Sequence, residues 1–124
     1  MAISIPLHAK LQHRNKIIVD MQYQAYTTTL EQLEELLDGC DTDLDYDTVS
    51  DILTIEFANG SKIIINYQSA NGQLWLAARN GGFHFDYDIT SGSWKNDRDG
   101  TDFFSQLSQL ASEQAGDEIN LKPE

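Results

Sequence analysis

Between Glu31 and Glu56 the chain carries Glu31, Glu34, Glu35, Asp38, Asp41, Asp43, Asp45, Asp47, Asp51 and Glu56, and not one Lys, Arg or His. Carboxylate oxygens at this density suit hard cations or a basic protein surface. They do not suit nucleic acid, whose binders display a basic footprint. Glu31, Glu34, Glu35 and Asp38 are spaced i, i+3, i+4 and i+7, so a helix gathers them into one solvated ridge. Asp41, Asp43, Asp45 and Asp47 alternate, so an extended segment points them one way while Leu44 and Tyr46 point the other. Like charges at helical spacing cost about 0.2–0.5 kcal/mol per pair. The pairs Glu31/Glu34, Glu31/Glu35, Glu34/Asp38 and Glu35/Asp38 therefore cost about 1–2 kcal/mol together, which a bound cation or basic surface would relieve. The plainer alternative is a charged face that only keeps the protein soluble.

Other chemistries find no support. Asp41-x-Asp43-x-Asp45 fails as a calcium loop, because Tyr46 stands where glycine is needed and Ile52 where the twelfth-position Glu belongs. There is no phosphate-binding glycine loop, no GxSxG and no HExxH, so no catalytic residue and no organic cofactor are assigned. The single cysteine, Cys40, lies among acids and cannot pair within the chain. His84, between Phe83 and Phe85, reads as a structural or surface residue rather than a ligand, and Trp94 as an edge of the core. In Gln73-Leu74-Trp75-Leu76 alternation puts both leucines on one face and Trp75 on the other. Trp75 then either anchors a partner on an open sheet face or packs over its neighbours there.

These residues need elements to hold them. Length, 124 residues, is that of one domain, and a hydrophobic share of 40% is enough for a core. Apolar residues at Val19, Tyr23, Tyr26, Leu30, Leu33 and Leu37 predict a helix over about 18–38, stopped at Gly39. Strand patterns follow at Leu44–Val49, Ile52–Phe57, Lys62–Tyr67, Gln73–Ala78, Phe83–Tyr87 and Ser93–Asn96, with Asn59-Gly60 the clearest hairpin signal. A second helix runs to about Ala115, with Thr101 as N-cap, Asp102 in its first turn and Gly116 ending it. The expected fold is α+β, an α-β sandwich with two helices on one face of an antiparallel sheet of about five to seven strands. Residues 1–20 are expected to form an extension, disordered or partly helical, 21–121 the domain and 122–124 a tail. Within the extension, 1–16 carries Lys10, Arg14 and Lys16 without an acid and reads as loose. No apolar run has membrane-spanning length, and the N-terminus has no signal-peptide core. With 20 acids against 8 Lys+Arg and a formal net charge of -12, neither nucleic acid nor membrane is an expected partner.

Read together, Leu53-Thr54-Ile55-Glu56-Phe57-Ala58-Asn59-Gly60-Ser61-Lys62-Ile63-Ile64-Ile65-Asn66, Asn71-Gly72-Gln73-Leu74-Trp75-Leu76-Ala77 and Gly81-Gly82-Phe83-His84-Phe85-Asp86 resemble the frataxin family, its bacterial CyaY branch in particular. The Phe103-Phe104…Leu107 stretch closes the match, which covers about 22–121. The resemblance implies the same sandwich and a role in iron–sulfur cluster assembly. It implies weak binding of Fe²⁺ and Fe³⁺ on an acidic ridge, mapping here onto Glu34, Glu35, Asp38, Asp41, Asp43, Asp45 and Asp47, with Glu31 beside it. It further implies contact with a cysteine desulfurase and with the cluster scaffold. The partner-binding residues would be Glu34, Glu35, Asp38, Asn71, Gln73 and Trp75. Gly39 departs from the pattern where many bacterial members carry another acid, and Tyr23 stands near the family's N-terminal histidine. The expected protein is a cytoplasmic bacterial monomer that iron can drive into oligomers. It would act as a non-enzymatic regulator or iron donor. The competing reading is a ferroxidase or iron-storage protein oxidising Fe²⁺ at clustered carboxylates. The Glu-x-x-His pairs of a buried di-iron site are absent from the sequence, which favours the regulator.

Overall fold

The computed structural model describes residues 7–124, with side-chain surroundings for Ile18 and for 20–124. The order is α1 (Leu7–Asp38), β1 (Leu44–Val49), β2 (Ile52–Phe57), β3 (Lys62–Gln68), β4 (Gln73–Ala78), β5 (Gly81–Asp88), β6 (Ser93–Asn96) and α2 (Phe103–Ala115). All six strands pair with their sequence neighbours, antiparallel, in the order β1-β2-β3-β4-β5-β6. A meander of this kind needs only tight turns. Between β1 and β2 the turn residues Ser50 and Asp51 have φ of 51° and 64°, and Gly60 supplies φ 85° in the next turn. Ser50 and Asp51 bear a strain that glycine would not, and Asp, with its short polar side chain, is among the residues that tolerate it best.

Alternation sorts the sheet. Leu53, Ile55 and Phe57, Ile63 and Ile65, Leu74 and Leu76, and Phe85 and Trp94 are buried against the helices. From α1 come Tyr26, Leu30, Leu33 and Leu37; from α2 come Phe103, Leu107, Leu110 and Ala111. Phe85 meets Phe103 edge-on at 5.4 Å, and the Trp94 indole N–H donates to Thr29 Oγ1 at 3.2 Å, which ties β5 to α2 and β6 to α1. Gln114 fixes the far end of α2: its Nε2 donates to Ser61 Oγ and Lys62 O, and its Oε1 accepts from Arg79 N. Beyond α2 the chain returns to the core at Ile119 and Leu121, whose backbone N–H groups donate to Ser112 Oγ and Ser108 Oγ. The sandwich has two helices on one face of a six-stranded antiparallel sheet, as expected.

Three local expectations need correction. First, α1 continues as a helix back to Leu7, so residues 7–16 are not a loose extension in the backbone. The surroundings of Val19 lie outside the described residues. Second, Tyr23 is exposed at 41% rather than part of the buried stripe. It lies against Tyr67 at 5.6 Å, and its hydroxyl donates to the Asp51 carboxylate at the tip of the β1–β2 turn. Third, the N-cap of α2 is Asp102, not Thr101. Asp102 has the extended φ/ψ of -65°/141° and its Oδ2 accepts from Phe104 N and Ser105 N, whereas Thr101 O is taken by Asn96 N. The stop of α1 at Gly39 is as expected: the helix ends at Asp38, and the Gly39 N–H closes a last turn onto Glu35 O without a positive φ.

Candidate functional site

The last turns of α1 lie beside the sheet edge formed by β1. On the helix-facing side of β1, Tyr46 donates its hydroxyl to Asp38 Oδ1, and Thr48 Oγ1 donates to Glu34 Oε2 at 3.2 Å. Two ridge carboxylates are thus held by the strand, while Glu31 and Glu35 stand free on the exposed side of the helix. Hydrogen bonding to the Asp38 carboxylate, followed by partial burial and the negative field of Asp38 and Glu34, pushes the Tyr46 hydroxyl up to about 12.

Asp45 and Asp47 project from the other face of β1 and are exposed. Asp45 lies opposite Glu56 on β2, which in turn lies opposite Lys62 on β3. Asp41 and Asp43, expected to continue the alternation, precede β1 in the α1–β1 connection, because pairing begins only at Leu44 opposite Phe57. The eight candidate ligands therefore divide into the helix ridge, the connection and the outer face of the edge strand. Among the described residues no three His, Cys, Asp or Glu side chains gather closely enough to hold one metal ion. What the arrangement offers is separate surface carboxylates, which bind hard cations weakly and through water.

The second surface is the sheet face turned away from the helices. Leu74 and Leu76 are buried and Trp75 stands half-buried on that open face, as the alternation requires. The row across the sheet is Asn66, Trp75 and His84. The Trp75 ring stacks on the His84 imidazole at 4.2 Å and 15°, and its indole N–H donates to Gln73 Oε1 at 3.0 Å. Gln73 Nε2 donates onward to Asp86 Oδ1 at 3.0 Å and Asp97 Oδ2 at 3.3 Å. Asn71 is exposed in the β3–β4 turn, its N–H bonded to Gln68 O. Sequence reasoning placed Trp75 and Gln73 together but missed His84, Asp86 and Asp97. Period-two alternation puts His84 on the face away from Phe83 and Phe85, but only the β4–β5 register sets it beside Trp75.

The family model for the frataxin-like domain matches residues 16–117. The chain belongs to the frataxin family. A protein of Paraburkholderia phymatum named iron–sulfur cluster assembly protein CyaY is 39% identical over 94 residues, covering 76% of this chain and 88% of that one. A CyaY protein of Dechloromonas aromatica, named in the same way, is 45% identical over 94 residues, covering 75% of this chain and 88% of its own. Among solved structures, a frataxin from Psychromonas ingrahamii, of the CyaY family, superposes with a TM-score of 0.77 at 32% identity, over 85% of this chain and 98% of that one. The family model spans α1 from Lys16 to the end of α2, so both candidate surfaces fall inside the matched region.

Proposed function

We propose that this protein binds Fe²⁺ and Fe³⁺ weakly on the carboxylates of α1 and β1. With that surface it docks on a cysteine desulfurase within the bacterial iron–sulfur cluster assembly machinery, and it regulates the desulfurase or delivers iron to the scaffold. Membership of the frataxin family, with relatives named as iron–sulfur cluster assembly proteins, gives the pathway. The observation that carries the reading is the acidic edge itself. From Glu31 to Glu56 no Lys, Arg or His is interleaved, and among the described residues no Lys or Arg lies within ion-pair distance of these acids. A helix ridge that bears its own repulsion with no Lys or Arg paired to it suits an external cation or a basic patch.

Separated carboxylates fit a cargo ion that must leave again better than a resident one. Iron here is substrate, held mostly by water and one or two oxygens at a time. The reading assigns no catalytic step. The scaffold would meet the other face, at Trp75, Gln73 and Asn71, and a cytoplasmic location follows from the pathway. Glu34→Lys, Glu35→Lys and Asp38→Lys together should weaken both Fe²⁺ and desulfurase binding, measured by calorimetry with the purified proteins. Unchanged affinity for both would overturn the ridge assignment. Oxygen uptake on adding Fe²⁺ tests the ferroxidase alternative: sustained turnover would displace the regulator reading.

A further inference from the structure

The sandwich uses only one face of α1. Steps of three and four place positions 10, 14, 17, 21, 24, 28, 31 and 35 on one line of that helix, opposite the buried stripe of Tyr26, Leu30, Leu33 and Leu37. The line begins with Lys10 and Arg14, passes Ile17, Met21, Gln24 and Thr28, and ends with Glu31 and Glu35. Its charge is therefore sorted by sign, basic at one end and acidic at the other, with an uncharged middle. Ile18 and Met21 are 45% and 46% exposed, and among the described residues of α1 before Tyr26 none is buried. A helix without a packed face is marginal in water, so this stretch gains from a partner. Beside the middle of the line runs an open groove of about 320 Å³, between Met21, Gln24, Thr28 and Gln32 on α1 and Tyr87 and Gly92 on the β5–β6 hairpin.

We infer that a second copy of this chain packs antiparallel along this line, forming a two-fold dimer without metal. Charge complementarity selects that occupant. In a two-fold pair, residue i meets j and j meets i. One antiparallel register sets Lys10 against Glu35, Arg14 against Glu31, Ile17 against Thr28 and Met21 against Gln24, each twice over. A parallel pair would instead set Lys10 on Lys10 and Glu35 on Glu35. The antiparallel pair also brings the acids of each copy beside the first turns of the other, where the helix dipole favours them. Met21 falls near the two-fold axis, beside the groove, and loses exposed apolar surface there. The net charge of -12 on each copy opposes association. At about 0.1 M salt the Debye length is about 10 Å, which damps repulsion between distant groups and spares pairs in contact. One helix pair is a small interface, in the weak and transient class below about 1,200 Å². The dimer stands apart from the iron reading but bears on it. It covers Glu31 and Glu35, leaving Asp45 and Asp47 on β1 open, so a self-paired copy cannot offer its whole ridge to a basic partner.

The test is sedimentation equilibrium of the full chain with a chelator present, at about 0.1 M salt and from about 0.01 to 1 mM chain. The wild-type mass should climb from 14.0 kDa towards that of two chains, and should fall back to one at about 1 M salt. The double variants Lys10→Glu with Arg14→Glu, and Glu31→Lys with Glu35→Lys, should each stay at one chain throughout. Mixed in equal amounts they should recover a one-to-one dimer, because reversed bases then meet reversed acids, and a misfolded variant could not give that recovery. Met21→Glu, which sets like charges together near the axis, should weaken the dimer at least about tenfold while the circular dichroism stays that of the wild type. A wild type at one chain's mass across the whole range would overturn the inference. So would a dimer that either double variant still forms, or a mixture of the two that fails to pair.

Discussion

Replacing Glu35 by lysine separates what the acidic ridge costs from what it is for. The Glu35 side chain is exposed and carries no hydrogen bond, unlike those of Glu34 and Asp38, so the change removes a charge without stripping a contact. It cancels two repulsions, with Glu31 at i−4 and Asp38 at i+3, and substitutes two attractions, each term about 0.2–0.5 kcal/mol at low salt. The four terms amount to about 0.8–2 kcal/mol. A cation in the last turns of α1, which carry none, adds about 0.3–1 kcal/mol through the helix dipole. The new lysine precedes Asp38 in the less favourable order, which takes a little back. The net expectation for Glu35→Lys is a gain of about 1–3 kcal/mol, a rise in Tm of roughly 4–11 °C for a domain of this size. Thermal unfolding followed by circular dichroism at low salt measures it, and the gain should shrink towards zero at about 1 M salt as the charges are screened. The same variant should bind Fe²⁺ and the desulfurase less well. A Glu35→Lys protein no more stable than the wild type at low salt would refute the argument that the ridge is held against its own repulsion.

Three further outcomes are specific. Trp75→Ala should reduce scaffold affinity at least about tenfold while lowering stability far less than a buried tryptophan would, since Trp75 is half-exposed and Trp94 is the one in the core. Asp38→Asn should bring the Tyr46 ionisation down from about 12 towards the ordinary tyrosine value, read as tyrosinate absorbance in difference against Tyr46→Phe. Because the folded value is raised, the Tyr46–Asp38 bond stabilises fully below about pH 10 and is lost as the pH rises through 12, so the stability difference between Asp38→Asn and the wild type should vanish across that window. Asp102→Ala should cost about 0.5–2 kcal/mol in chemical denaturation and Thr101→Ala distinctly less, because Asp102 holds two free amides in the first turn of α2.

Much of the fold was legible because the sequence states it twice. The strands from Leu44 to Asn96 combine alternation with turn residues at each end, and four of the six have the expected limits to the residue. The misses occur where a tertiary contact decides between local options. Thr101 and Asp102 are both good caps, and the pairing of Thr101 O with Asn96 N chooses between them. Tyr23 has the spacing of a core residue, but the turn at Asp51 gives its hydroxyl a partner at the surface. The ridge was readable as far as Asp38, since helical spacing alone sets it. The division of the aspartates was not, because it depends on where β1 begins to pair with β2. His84 was hidden for a similar reason: stacking on Trp75 is a property of register between strands, and no single strand encodes it.

The central claim is that the α1–β1 edge receives iron. An anaerobic Fe²⁺ titration of the full chain followed by ¹H–¹⁵N NMR tests it residue by residue. Broadening and shifts should be confined to about Glu31–Asp47, strongest on the ridge and on Asp45 and Asp47, with the Trp75 face unchanged. A response centred on His84, Asp86 and Asp97 with the ridge silent, or no response at all, would contradict it.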